Sequence, residues 1–399
     1  MRIAQLSTSR VGGAGLASLR YSEALKSVGV ENDLFALNNF SVTHNLTTNP
    51  ITRTSIEIIK SKSLTYLQSK FIQYGSDLIT PISLQPNSLD KIISKYDLVH
   101  LHSTYNILDH KGLTSLVDSG KKIVITLHDQ RWFTGGCHYS LDCRGFLGNC
   151  TDCPQATSLG KIFVENSFIK LHKIISRNQQ IKIISPSKWL ADYANDSKIL
   201  NGQRIKVIRN PIPTFNPSFY DSVEARRNQV TNKSKSIVFV SDNLQNPLKG
   251  LSILLEALQL LKPSELNHFQ LILIGNNPPD LSELPFRTTV AKVHTTKELW
   301  LKIKEADALV VPSIQDNLPN VIGEAFSVGL KVIGSNIGGI PEVITPSNGF
   351  LFEKNNARQL AEILSNFDTN YSKEQIISYF ESNFQYNHVG KLINDFYKE

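Results

Sequence analysis

Two carboxylates eight positions apart, Asp316 and Glu324, sit in the run VPSIQDNLPNVIGEAFSVGLKVIGSNIGGIP from Val311 to Pro341. Asp316 falls in a polar turn, Pro312 to Asn317, that follows the apolar strand-like stretch 307–311. Glu324 falls inside a helix-like stretch, 320–328, and a second strand-like stretch, 331–334, comes after it. A strand–turn–helix presents backbone N–H groups at the helix start, and such a start binds anions. Carboxylates on both sides would repel a bare phosphate. They suit a ligand with a diphosphate in the middle and hydroxyl-rich groups at both ends. A nucleotide-sugar has that shape. The plainer alternative is a βαβ unit with two surface carboxylates.

Other residues have types and places that could join this chemistry. The first strand-like stretch leads into Ser7-Thr8-Ser9-Arg10-Val11-Gly12-Gly13-Ala14-Gly15 and then a helix. Glycines at a strand-to-helix turn let backbone approach a phosphate, and Gly13 and Gly15 are the candidates. The spacing is neither a nicotinamide fingerprint nor a Walker loop. Pro247-Leu248-Lys249-Gly250 opens a later helix, where Lys249 could meet a diphosphate as a point charge or simply be a solvated lysine. His128 ends the strand-like run KKIVITLHD, at the end where α/β ligands bind; His102 ends the run before it. Each is a donor to a sugar hydroxyl or phosphate oxygen, or a structural hydrogen-bonder.

All four cysteines, Cys137, Cys143, Cys150 and Cys153, fall in GGCHYSLDCRGFLGNCTDCPQ, spaced C-x5-C-x6-C-x2-C. Two readings stand: a tetrahedral structural Zn site, or four unmetallated thiols in a folded loop. Trp132, Phe133 and Tyr139 nearby offer flat faces to a sugar ring, or form the core of the segment.

The elements that must position these residues are legible. Strand-like and helix-like runs alternate almost throughout, which implies α/β structure with parallel sheets. Strands are expected near residues 2–6, 97–102, 122–127, 181–185 and 205–208, then 236–240, 270–274, 308–311 and 331–334. The strongest helix signals are 17–28, 251–261, 296–306 and 357–367. The 399 residues suffice for two domains. Asn210-Pro211-Ile212-Pro213 marks the break, giving domains 1–212 and 213–383. Doubly wound domains bind ligands beyond the carboxyl ends of their strands, so a central cleft is expected to hold the site.

Composition is that of a soluble globular chain, with no apolar run of membrane-spanning length and no signal-peptide core. A cytoplasmic location is expected. Net charge is +7, but residues 1–210 carry 25 Lys and Arg against 15 Asp and Glu. The basic half could face an anionic membrane surface, and the amphipathic segment Arg53 to Lys70 is the candidate contact. The basic residues are scattered and no nucleic-acid motif accompanies them, so no nucleic-acid partner is expected.

The Asp316–Glu324 stretch resembles the E-x7-E motif of family 4 glycosyltransferases of the GT-B fold, in the bacterial cell-surface polysaccharide branch. An Asp stands at the first position, one methylene shorter. The resemblance implies that Asp316 holds the hydroxyls of the donated sugar, backbone amides from Leu318 through Asn320 to Val321 take the diphosphate, and Glu324 takes the ribose. The Lys-Gly step implies that Lys249 stabilises the leaving nucleoside diphosphate. Asn243 stands where the family usually has an Arg. Gly13 and Gly15 match the glycine loop of the first domain, and His128 the family's cleft histidine. The Cys-rich insertion, 132–155, would lie on the acceptor side with Trp132, Phe133 and Tyr139, and a last helix, about 384–399, would cross back to the first domain. The implied activity is transfer of a sugar from a nucleoside-diphosphate-sugar to a glycan or lipid-linked acceptor with retention, without a catalytic metal. Catalysis would rest on Asp316, His128 and Lys249. The rivals are a catalytically inactive glycan-binding protein and a nucleotide-sugar epimerase or hydrolase on the same fold.

Overall fold

The computed structural model describes residues 1–37, 48–51, 63, 66, 70–73, 89–105, 107–178, 180–215, 235–267, 269–282, 284 and 286–399. Most of the amphipathic segment Arg53 to Lys70 lies outside them. The chain divides into two compact units, residues 1–211 with 389–399, and residues 212–388.

The first unit is built on seven parallel strands: β1 (Ile3–Ser7), β2 (Asn32–Leu37), β3 (Thr48–Ile51), β4 (Leu98–Leu101), β5 (Lys122–Thr126), β6 (Lys182–Ser185) and β7 (Arg204–Val207). Their order is β3-β2-β1-β4-β5-β6-β7. The second unit holds β8 (Lys235–Asn243), β9 (Phe269–Asn276), β10 (Arg287–Ala291), β11 (Ala308–Val311), β12 (Lys331–Ser335) and β13 (Gly349–Phe352), in the order β10-β9-β8-β11-β12-β13. Both sheets are therefore α/β and doubly wound. The winding reverses between β1 and β4 in one and between β8 and β11 in the other, and ligands bind at such reversals.

Central strands of a parallel sheet are covered on both faces and read as continuous apolar runs. β11, ALVV, is buried at every residue. β10, RTTVA, lies at an edge with a largely exposed pattern, so its sequence carries no such signal. Polar residues that break the rule are informative. Gln5 on β1 and His100 on β4 are fully buried, on the two strands that flank the reversal.

The last helix, Tyr386–Lys398, places Val389, Ile393, Phe396 and Tyr397 on one stripe. These four pack with Ile3, Tyr21, Leu98 and Val124 of the first unit. Burying each is worth about 1.5–3 kcal/mol. Contact is close at Gly390, where a Cβ would stand 2.2 Å from the Ala24 carbonyl oxygen.

Candidate active site

In the second unit the reversal brings two loops together. After β8 a short 3-10 turn, Pro247–Lys249, carries Lys249. After β11 the loop 312–319 carries Asp316 and leads into the helix Asn320–Ser327. The loops touch through backbone: the Ile314 N–H donates to the Leu248 carbonyl at 2.8 Å. Gly250 makes that approach possible. Its φ is +74°, and a Cβ there would stand 1.9 Å from the Pro312 carbonyl oxygen. Lys249 Nζ then donates to Asp316 Oδ2 at 2.5 Å. Asp316 Oδ1 accepts from its neighbour Asn317 N–H at 3.0 Å, and Ser313 Oγ lies 3.4 Å from Oδ2. Asp316 is 5% exposed, whereas the Lys249 side chain is 30% exposed. The carboxylate is thus fixed at the floor and the ammonium can still reach a ligand.

The helix Asn320–Ser327 begins at Pro319, which supplies no side-chain cap. The Ile322 N–H donates to the Pro319 carbonyl at 3.1 Å, and a helix start of this kind presents a favourable field to an anion. Asn320 and Val321 are half-buried in that turn, and the Leu318 side chain belongs to the core. Glu324 is 3% exposed, one turn further along. Asn243 is exposed at the end of β8, where its Oδ1 accepts from Gln245 N–H at 3.1 Å and Asn277 Nδ2 at 3.3 Å. It supplies no positive charge.

The first unit holds a concavity of about 680 Å³, open to solvent, lined by His102, Tyr105, His110, His128, Arg131 and Trp132 among others. It sits beyond the ends of β4 and β5. His128 Nε2 lies 3.0 Å from His102 Nδ1, and His102 Nε2 lies 2.8 Å from Gln5 Oε1. His100 bridges Tyr397 Oη at 2.6 Å and Thr126 Oγ1 at 2.7 Å. Burial disfavours charge on these rings: it drives His100 down to about 3, His128 to about 4, and His102 well below its ordinary value. Asp129 and Arg131 form a close ion pair beside them, with the guanidinium stacked 4.2 Å above the Tyr105 ring. Among the described residues, the buried Arg131 Nη1 has no hydrogen-bond partner. Neither Asp129 nor Arg131 was among the expected site residues. Their signal in sequence was position alone, directly after a strand-ending histidine.

Residues 234–369 match the family described as Glycosyl transferases group 1. They form a group 1 glycosyl transferase domain. An Escherichia coli (strain K12) protein named as a colanic acid biosynthesis glycosyl transferase, WcaC, is 24% identical over 254 residues. The match covers 60% of this chain and 58% of that protein, so the chain spans less than two thirds of this relative. Anabaena HepE, solved in complex with UDP, superposes with a TM-score of 0.63 at 17% identity and covers 100% of both chains. WaaG, solved as a glycosyltransferase involved in lipopolysaccharide biosynthesis, gives 0.64 at 14% identity, covering 98% of this chain and 99% of that one. These likenesses show the fold, which is of the GT-B class.

The group 1 domain thus contains Lys249, Asp316, Leu318, Asn320, Val321 and Glu324, and brings Lys249 and Asp316 into contact. Other placements correct expectations. Phe133 is fully buried against Phe146, and Tyr139 is 7% exposed beside His138, so neither offers a face to a sugar. Trp132 does line the concavity, its Nε1 donating to the His102 carbonyl at 3.1 Å. Gly15 is buried where a Cβ would stand 2.8 Å from Ser9 O and Arg10 C, which makes it a packing glycine. Gly13 is exposed, with nothing within 4 Å of the Cβ position.

The four cysteines expected as zinc ligands are placed as follows. Among the described residues, no group of three or more His, Cys, Asp or Glu is placed to hold a metal ion. All four thiols are free, and Cys137, Cys150 and Cys153 are absorbed into the hydrophobic core as small apolar residues. Cys137 and Cys153 hydrogen-bond to each other. That bond lowers Cys153 to about 6, while burial pushes Cys150 up to about 12.

Proposed function

We propose that the chain is a retaining glycosyltransferase that moves a sugar from a nucleoside-diphosphate-sugar to a glycan or lipid-linked acceptor in polysaccharide biosynthesis. The observation that carries this reading is the Lys249–Asp316 pair at the reversal of the group 1 domain, beside an uncapped helix start. Asp316 holds the hydroxyls of the donated sugar. Lys249 leaves its carboxylate partner to meet the diphosphate, and the amides from Leu318 to Val321 take its remaining oxygens. Glu324 binds the ribose. Cleavage of the sugar–phosphate bond builds charge on the leaving diphosphate, and Lys249 with the helix start stabilises it. The leaving phosphate oxygen takes the acceptor's proton on the same face, so no separate general base is needed.

HepE, of the same fold, was solved with UDP and with UDP-glucose, which favours a uridine donor. The acceptor would be met at the inner face of the plasma membrane. No described helix is long and apolar enough to cross a bilayer. The helix Ser158–Ile175 nevertheless exposes Leu159, Ile162, Phe163 and Ile169 beside Lys170 and Lys173, a pattern suited to an anionic lipid surface. Thermal shift against UDP-, GDP-, ADP- and dTDP-sugars tests the reading. One nucleotide series should raise the midpoint with concentration, and no shift from any would overturn it.

A further inference from the structure

The histidines of the first unit are connected to a hydrogen-bond chain whose direction can be read from its far end. Asn32, 7% exposed, points Nδ2 at two backbone carbonyls, Ser22 O at 3.2 Å and Val30 O at 3.1 Å. Carbonyls only accept, so the amide orientation of Asn32 is fixed and its Oδ1 faces the other way. That oxygen receives Gln5 Nε2 at 2.7 Å and Ser22 Oγ at 2.7 Å. Gln5 must therefore turn its Oε1 toward His102, at 2.8 Å from Nε2. A hydrogen has to stand on His102 Nε2. In a neutral ring the lone pair is then on Nδ1, which lies 3.0 Å from His128 Nε2. His128 in turn carries its hydrogen on Nε2, and its free lone pair is on Nδ1.

We infer that Asn32 and Gln5, acting through His102, hold His128 as the Nε2–H tautomer, so that its remaining nitrogen is an acceptor that selects a hydroxyl over a phosphate oxygen. The Nε2–H is already committed to His102, so neutral His128 has no hydrogen left for a phosphate. Gln5, Asn32 and His102 are positioning residues. The rings stay neutral because the site is buried: Tyr21 stands edge-on to all three histidines, and the nearest charges, Asp129 and Arg131, offset one another. Where the proposed glycosyltransferase reading holds, the hydroxyl belongs to the sugar bound in the first unit. The tautomer itself does not depend on that reading.

The test is long-range ¹H–¹⁵N correlation of the full chain labelled on histidine nitrogens, with the His128 signals assigned by their loss in His128→Asn. At pH 7 both His102 and His128 should show a protonated Nε2 and a lone-pair Nδ1, unchanged at pH 5. A protonated Nδ1 on His128, or a charged ring at pH 7, would overturn the inference. In Gln5→Met, His102 loses its acceptor and both rings should move to tautomer-averaged shifts, while the nucleoside diphosphate Kd changes less than twofold. Unmoved shifts in a folded Gln5→Met protein would also sink it. Absence of any turnover in the wild type would count against the transferase reading alone, since the tautomer is read without substrate.

Discussion

The two sheets reverse their winding in the same way and fill the reversal with opposite chemistry. In the first unit the residues there are buried and neutral: Gln5, His100, His102 and His128, with Asn32 behind them. In the second they are a lysine and a carboxylate in contact, beside an uncapped helix start. The neutral set is suited to hydrogen-bonding hydroxyls without attracting a phosphate. The charged set is suited to a ligand that is anionic at one point and hydroxylated at the next. A shared topology supplies the place, and the side chains decide the ligand.

The comparison breaks most readily at its charged end. Asp316→Asn keeps the shape of the floor and removes its charge. Turnover should fall by about 100-fold or more, in the range seen when one stabilising polar contact is lost, with a much smaller change in nucleotide affinity. Steady-state kinetics beside calorimetric titration of the bare nucleotide separates the two, and a wild-type rate would remove the sugar contact. Lys249→Met should come next. Loss of a charged hydrogen bond to the diphosphate costs about 1.5–3 kcal/mol, read as a 10- to 100-fold rise in the Kd of the nucleoside diphosphate. Glu324→Ala should raise the same Kd about tenfold if the carboxylate holds the ribose. An unchanged value would leave Glu324 as a buried structural residue.

Those residues were legible for a physical reason. Strands that flank a reversal are buried on both faces, so the central ones read as apolar runs, and their loops follow at once. Asp316 and Lys249 could be placed from the ends of β11 and β8. Of the edge strands, β7 was expected at 205–208 but β10 was not: RTTVA has no buried face to impose a pattern. The cysteine spacing describes a ligand type but not where side chains point, and in the fold three of the four turn into the core. Phe133 failed likewise, since an aromatic beside a site has the same letter whether it faces ligand or Phe146. The pair Asp129 and Arg131 lies two residues apart and carried no signal beyond its place after His128, whereas the link from His128 through His102 and Gln5 to Asn32 joins positions too far apart in sequence for any local pattern to show.

The neutral end should reveal itself in acid. In the unfolded chain histidine protonates near its ordinary value of about 6.5. In the fold His100 resists protonation until about 3 and His128 until about 4. Between those values the unfolded state binds more protons, so stability falls as pH drops below about 6.5, by up to roughly 1.4 kcal/mol per pH unit for each ring. Urea unfolding at pH 7 and pH 5 reads this directly. His100→Asn should be less stable at pH 7 but show a shallower slope. An equally steep slope in the variant would mean that other groups drive the acid sensitivity.

The smallest effects separate two glycines that look alike in sequence. Gly15→Ala puts a methyl group 2.8 Å from backbone atoms of residues 9 and 10, and should cost about 1 kcal/mol or somewhat more. Gly13→Ala meets open space in the first turn of a helix, and stability should hold or rise by about 0.5 kcal/mol. If Gly13 is where backbone meets a ligand phosphate, its variant should lose ligand affinity while its unfolding midpoint is preserved. If ligand affinity also holds, the first unit makes no phosphate contact at this loop. The division between a neutral reversal and a charged one would then be sharper still, with the whole diphosphate carried by the group 1 domain.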